Sequence, residues 1–349
     1  MGTPLTVRFQ ILELAKLNPL TISRGTQATS ENLFVTLSDG VHQGVGELSP
    51  ATGSNWTGSR GEAQLEAFLT PDRLAAMNPY DVDAAMREAE IDPPARAALD
   101  IALWDLLAKQ AGMPLHRLLG LPRRSAPTSV TIGINPPEVT RERVALILRD
   151  TGAKCLKIKL GSPEGRDHDK DHFSAAAEAA APFGVQLRVD ANGGWTPEEA
   201  IMMDAWLAER NVGYVEQPLA QGLEAELPAV FKARRLPLFL DESVRDSTSI
   251  PALADRCDGI NLKLMKTGGI TEALRLVATA RAFRLMTMIG CMSESSIAIA
   301  AGASLGSLFD HIDLDSHLNL APDPADGAPI LDGIVLPEDR PGHGGQLLS

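Results

Sequence analysis

Cys155-Leu156-Lys157-Ile158-Lys159-Leu160 is an apolar run of strand length that nevertheless carries two lysines. Runs of this kind form strands covered on both faces. Alternate residues of a strand point the same way, so Lys157 and Lys159 share one face and Leu156 and Ile158 the other. Charges placed inside need anions beside them. Downstream, similar runs each end on a charged residue: Leu187-Arg188-Val189-Asp190, Tyr214-Val215-Glu216, Leu238-Phe239-Leu240-Asp241 and Ile260-Asn261-Leu262-Lys263. Ile312-Asp313-Leu314-Asp315 adds two more acids. From Asp190 to Lys263 the successive ends lie 26, 25 and 22 residues apart. A strand, a loop and a crossover helix of a parallel α/β barrel take that much chain. Acids and lysines at the strand ends then reach one barrel mouth.

The rest of the chain frames this barrel. Its 349 residues suffice for a barrel and a smaller partner domain. A net charge of −13 argues against nucleic acid and anionic membrane surfaces as partners, since both are polyanions. Cys155, Cys257 and Cys291 are far apart, so no disulfide framework is expected and a reducing cytoplasm fits. Met1-Gly2-Thr3-Pro4-Leu5 lacks the features of a secretory leader, and no apolar run approaches a membrane span.

Residues 1–121 read as an α+β domain. Val7–Leu12, Leu33–Leu37 and the stretch near Gly44-Val45-Gly46-Glu47 look like strands, with a turn at Ser38-Asp39-Gly40. The two glycines lack the third glycine and following helix of a dinucleotide loop, so a hairpin is expected. A helix starts at Pro93-Pro94 and stops at Gly112. Residues 122–320 alternate strand and helix, eight strands with seven crossover helices, a (β/α)7β TIM-like barrel. Thr196-Pro197-Glu198-Glu199 marks the start of one crossover helix. The Pro-, Asp- and Gly-rich residues 321–349 suit a tail running back over the surface. The cluster Asp167-His168-Asp169-Lys170-Asp171-His172 reads as a solvated loop rather than a metal site.

Asp190, Glu216 and Asp241 offer three hard oxygen ligands from successive strand ends, a set that suits Mg²⁺. The plain alternative is acids that cap loops or pair with lysines. Lys159 and Lys263 stand on the second and sixth strands, with the metal strands between. Two bases on opposite sides of a metal-bound carboxylate can move a proton on or off carbon from either face. Lys157, on the same face as Lys159, supplies a neighbouring ammonium that favours the neutral base. The alternative is a buried salt-bridge cluster, which seldom justifies its desolvation by stability alone.

With Lys157-Ile158-Lys159, Asp190-Ala191-Asn192, Glu216-Gln217-Pro218, Asp241-Glu242-Ser243 and Asn261-Leu262-Lys263-Leu264-Met265-Lys266 in hand, the chain resembles the enolase superfamily. Within it, the chain is similar to the muconate-lactonizing subgroup and its dipeptide epimerases. The resemblance implies an α/β fold in which the N-terminal region and the C-terminal tail together cap the barrel. It implies a cytoplasmic isomerase of cell-wall peptide metabolism, acting with Mg²⁺ on small dipeptides such as L-Ala-D/L-Glu. The reaction is a two-base proton transfer through an enediolate, and a homo-oligomer is compatible. In similar epimerases an Asp-x-Asp like Asp313-Leu314-Asp315 holds the substrate α-ammonium, for which two carboxylates are physically apt. By the same resemblance Arg24 would meet a glutamate side chain and Thr131 would touch substrate. N-acylamino-acid racemase and o-succinylbenzoate synthase share the frame, and a non-catalytic peptide-binding barrel is the rival from another class.

Overall fold

The chain begins with a meander of three antiparallel strands, β1 (Thr6–Ile22), β2 (Gly25–Ser38) and β3 (Gln43–Leu48). The computed structural model describes residues 5–75 and 77–348, so the opening Met1-Gly2-Thr3-Pro4 read for a leader lies outside the described residues. Asp39 closes the second turn by accepting the backbone N–H groups of Val41 and His42. Three helices cover one face: α1 (Gly58–Phe68), α2 (Pro79–Glu88) and α3 (Pro93–Gln110). Helix α3 is buried on nearly every side. Ala98, Leu99, Ala102 and Leu106 pack on the sheet, while Ala97, Ile101 and Ala108 join the barrel core. Gly44 and Gly46 are explained here, because a Cβ on either would run into the carbonyls of Ala102 and Ala98.

Eight parallel strands follow in sequential order: β4 (Ser129–Ile132), β5 (Cys155–Lys159), β6 (Gln186–Asp190), β7 (Val212–Glu216), β8 (Leu238–Leu240), β9 (Gly259–Lys263), β10 (Met286–Gly290) and β11 (His311–Asp313). A bridge between Thr128 and Ile312 brings the last strand back to the first. The seven crossovers carry α4 (Pro137–Thr151), α5 (Arg166–Ala180), α6 (Pro197–Ala208), α7 (Leu227–Ala233), the one-turn α8 (Ile250–Leu253), α9 (Ile270–Ala282) and α10 (Ser296–Ser304). Helix α6 opens with the expected reciprocal cap between Thr196 and Glu199. No described helix is long and apolar enough to cross a membrane.

Two local expectations are corrected. Asp167–His172 forms the first turns of α5, not a loop. The reason lies in two side chains that point inward. Asp169 accepts the N–H groups of Gly161, Ser162 and the Trp195 indole, and His172 meets the Thr140 hydroxyl. The eighth strand also ends at Asp313, two residues earlier than its sequence pattern suggests.

The tail returns to the first layer. Leu115 N–H donates to the Gly342 carbonyl, and His343 bridges the Val45 carbonyl and Asp105. Another seam runs through Glu47 at the end of β3. Its buried carboxylate accepts the backbone N–H groups of Ser295 and Ala298 and the Ser295 hydroxyl, at the N-terminus of α10. Burial pushes this carboxyl up to about 7 against those hydrogen bonds. The sheet and the barrel are thereby joined through buried polar groups.

Candidate active site

Register sets the levels of the site. Lys159 lies beside Asp190, and Asp190 beside Glu216. On the other side of the ring Gly290 lies between Lys263 and Asp313. Asp241 follows β8 directly and completes the arc.

Asp190, Glu216 and Asp241 are buried, and each offers an oxygen within 4.8 Å of the others. Lysines surround them. Lys159 Nζ lies 2.6 Å from Asp190 Oδ2, and Lys263 Nζ lies 2.8 Å from Asp241 Oδ2. Lys157 is fully buried beneath, 2.7 Å from Glu216, 2.7 Å from Asp313 and 3.4 Å from Asp190. Burial opposes the charge on Lys157, yet these three carboxylates raise its pKa well above that of a free lysine. Asp241 sits well below the usual carboxylate range because Lys263 and Lys266 outweigh its burial. Glu216 goes the other way, up to about 8, through burial first and the charge of Asp190 second.

These groups fit a divalent cation. Oε2 of Glu216 and Oδ2 of Asp241 are buried and meet only lysine ammoniums, Lys157 at 2.7 Å and Lys263 at 2.8 Å, without an aligned hydrogen bond. Three carboxylates this close repel one another, and the charge of Asp190 adds to burial in raising Glu216. Hard oxygen donors in this number match Mg²⁺, with room left for water and substrate.

Two cavities adjoin at the mouth, sharing Arg24, Thr52, Asn192, Lys263 and Met292 in their linings. A small one of about 100 Å³ is lined by Lys159, Lys263, Asp313, Asp315 and Thr131. A larger one of about 840 Å³ is lined by Arg24, Trp56, Asn192, Asp241 and Glu242. Asp313 and Asp315 thus share the small cavity with the two lysines. Asp313 keeps a buried oxygen, Oδ1, without a hydrogen bond. Asp315 is pushed up to about 7, by burial first and then by Asp313. Thr131 contributes its backbone, whose N–H donates to Asp315 at 2.7 Å.

The structure places Arg24 between the cavities, with its guanidinium engaged. Nη1 lies 2.7 Å from Glu242 Oε1 and donates to the Asn192 carbonyl at 3.1 Å. Other contributors had no role in the sequence reading, although they stand in its motifs. Lys266 holds Asp241 at 2.6 Å and the Asn261 carbonyl at 3.0 Å. Asn261 donates to Glu216 at 2.8 Å, and Asn192 donates its backbone N–H to Asp190. Gln217, at φ +37°, accepts the Asp241 N–H and so fixes the third carboxylate. Their positions in those motifs were the available signal.

Fold and site together define a capped α/β barrel whose mouth holds a carboxylate triad between two lysines. Residues 6–120 match the mandelate racemase / muconate lactonizing enzyme N-terminal domain, and residues 140–348 the enolase C-terminal domain-like family. The chain belongs to this family of the enolase superfamily. It is 56% identical to a hydrophobic dipeptide epimerase of Roseobacter litoralis, over 98% of both chains. It is 52% identical to a protein of the same description from a Flavobacteria bacterium, strain MS024-2A, over 97% of both. Among solved structures it resembles the dipeptide epimerase of Enterococcus faecalis V583 complexed with Mg and L-Leu-L-Tyr. That match has a TM-score of 0.87 and 30% identity, and covers 98% of this chain and 99% of the other.

Proposed function

We propose that this chain is a Mg²⁺-dependent dipeptide epimerase that inverts the α-carbon next to the C-terminal carboxylate. The observation that carries this reading is one cavity lined by Lys159 and Lys263, which pair with the triad, and by Asp313 and Asp315. Asp190, Glu216 and Asp241 would hold Mg²⁺, which supplies positive charge to the substrate carboxylate as the α-proton leaves. Lys159 and Lys263 would remove and return that proton from opposite faces. Asp313 and Asp315 would hold the α-ammonium, with Lys157 beneath as their counter-charge. Residues 1–121 and 321–349 would act as the cap and residues 122–320 as the catalytic barrel. Three free cysteines and the small dipeptide substrate suit a cytoplasmic enzyme of peptide turnover, including that of the cell wall.

For the C-terminal side chain we favour apolar residues. Arg24 is already neutralised by Glu242, and relatives above 50% identity are described as hydrophobic dipeptide epimerases. An acidic residue, as in L-Ala-D/L-Glu, is the second reading, because Arg24 still borders both cavities. The test is incubation with Mg²⁺ in D₂O of L-Ala-L-Leu, L-Ala-L-Glu and N-succinyl-L-leucine, following α-deuterium and epimer. Rapid exchange into the dipeptides, greatest for Ala-Leu, is expected. Exchange into the N-succinyl substrate alone would replace the epimerase reading with a racemase.

A further inference from the structure

Around the barrel mouth, Lys157, Lys159, Lys263, Lys266 and Arg24 each have a carboxylate partner. Lys16, on β1, is different. It lines the same small cavity as Asp313 and Asp315, yet its ammonium donates to the Ser293 hydroxyl, at 2.6 Å. That hydroxyl donates in turn to Gln27 Oε1, which also accepts from Thr52. All of these partners are neutral. Burial brings Lys16 down to about 8, and no carboxylate among the described residues raises it again. It is therefore still mostly cationic at neutral pH. An ammonium carries three donors, and Ser293 takes one.

We propose that Lys16 is a specificity-determining residue for the first residue of the dipeptide, favouring an acidic side chain there and disfavouring a cationic one. The inference rests on the dipeptide reading above. If Asp313 and Asp315 hold the α-ammonium, the first side chain branches from the carbon bonded to that nitrogen. The same lining holds Lys16 and Leu20 from β1 with Ser316 and Asn319 from the segment that follows Asp315 directly. A bridge between Lys16 and Leu320 keeps the two segments together. A lysine or arginine side chain would meet a like charge in a partly desolvated place. An aspartate or glutamate would supply the missing partner of Lys16 while leaving its own α-ammonium to Asp313 and Asp315.

The experiment measures kcat/KM with Mg²⁺ for L-Glu-L-Leu, L-Ala-L-Leu and L-Lys-L-Leu, in the wild type, Lys16→Met and Lys16→Glu. The wild type is expected to prefer Glu-Leu to Lys-Leu. That preference should fall by about tenfold in Lys16→Met, as for one partly screened charge contact, and reverse in Lys16→Glu. The ratio does not depend on the amount of folded enzyme, so a variant that melts early still reports it below its transition. Turnover of Ala-Leu with a Glu-Leu to Lys-Leu ratio that neither variant moves overturns the inference and leaves the dipeptide reading standing. Wild-type enzyme that turns over none of the three overturns both.

Discussion

The ammonium of Lys157 lies 2.7 Å from Asp313 Oδ2 and the same distance from Glu216 Oε2, so one buried lysine joins the acidic triad to the Asp-x-Asp. The two acids belong to strands four places apart in the eight-stranded ring, β7 and β11, and neither end of the site is electrically independent. Removing one partner of a buried ion cluster leaves uncompensated charge, at a cost of about 3–5 kcal/mol. Lys157→Met should therefore lower the melting temperature markedly in EDTA. Saturating Mg²⁺ supplies replacement positive charge and should recover part of the loss. Melting curves with and without Mg²⁺ check this, and equal losses in both would show that Lys157 does not share its compensating role with the metal.

The triad itself can be tested without turnover. A ligand that binds only the folded state at a hundred times its Kd adds about 2.7 kcal/mol of stability. Wild-type protein should melt higher as Mg²⁺ is added. Glu216→Gln should lose most of that shift, and EDTA should abolish α-deuterium exchange. A wild-type melting temperature indifferent to Mg²⁺ speaks against the assignment.

The two lysines make a sharper prediction. A positioned general base or acid contributes about 10²–10⁴-fold. Lys159→Ala and Lys263→Ala should each stop interconversion of the epimers by at least that factor. Each should retain deuterium exchange for one epimer, and the retained epimer should differ between the two variants. Identical exchange behaviour in both would mean that they do not serve opposite faces.

Much of this was legible in the chain. The barrel strands could be counted because each is a short apolar run closed by a charged residue, at intervals a crossover helix fills. The carboxylate triad followed from the same rule, since residues at corresponding strand ends must converge. What the sequence could not supply was the choice of partners. Lys157 was expected to act on Lys159, and it lies among Glu216, Asp313 and Asp190 because those strands close around it. Asp167–His172 looks solvated by composition, but the backbone N–H groups of Gly161 and Ser162 draw Asp169 inward and start a helix. The pairing of Arg24 with Glu242 spans more than two hundred residues and leaves no local pattern.

That pairing bears on specificity. With its charge matched by Glu242, Arg24 is expected to act on the shape of the mouth more than on a substrate carboxylate. An exposed or half-exposed ion pair contributes about 0–1 kcal/mol. Arg24→Ala should lower kcat/KM for L-Ala-L-Leu and L-Ala-L-Glu by similar factors, below about tenfold each. A selective collapse of Ala-Glu turnover would restore the acidic reading.

Asp315 sets stability against function. Its carboxyl is pushed up to about 7 by burial and by Asp313, from an ordinary value near 3.8. Between those values the folded state holds a proton that the unfolded chain has released. Stability therefore falls as pH rises through this window, and the cost is complete above about 7. On the proposed dipeptide reading, a bound ammonium would reverse the balance, because it favours the ionised pair. Two consequences follow for Asp315→Asn at pH 8. The free protein should melt a few degrees higher, since the buried like-charge contact is gone and an amide oxygen still accepts the Thr131 N–H. Yet kcat/KM for dipeptides should fall by about a hundredfold, in line with the loss of a buried charge-assisted contact. In the wild type the same quantity should decline as pH drops below about 7, and that acid limb should flatten in the variant. A variant that is both less stable and equally active would remove Asp315 from ammonium binding.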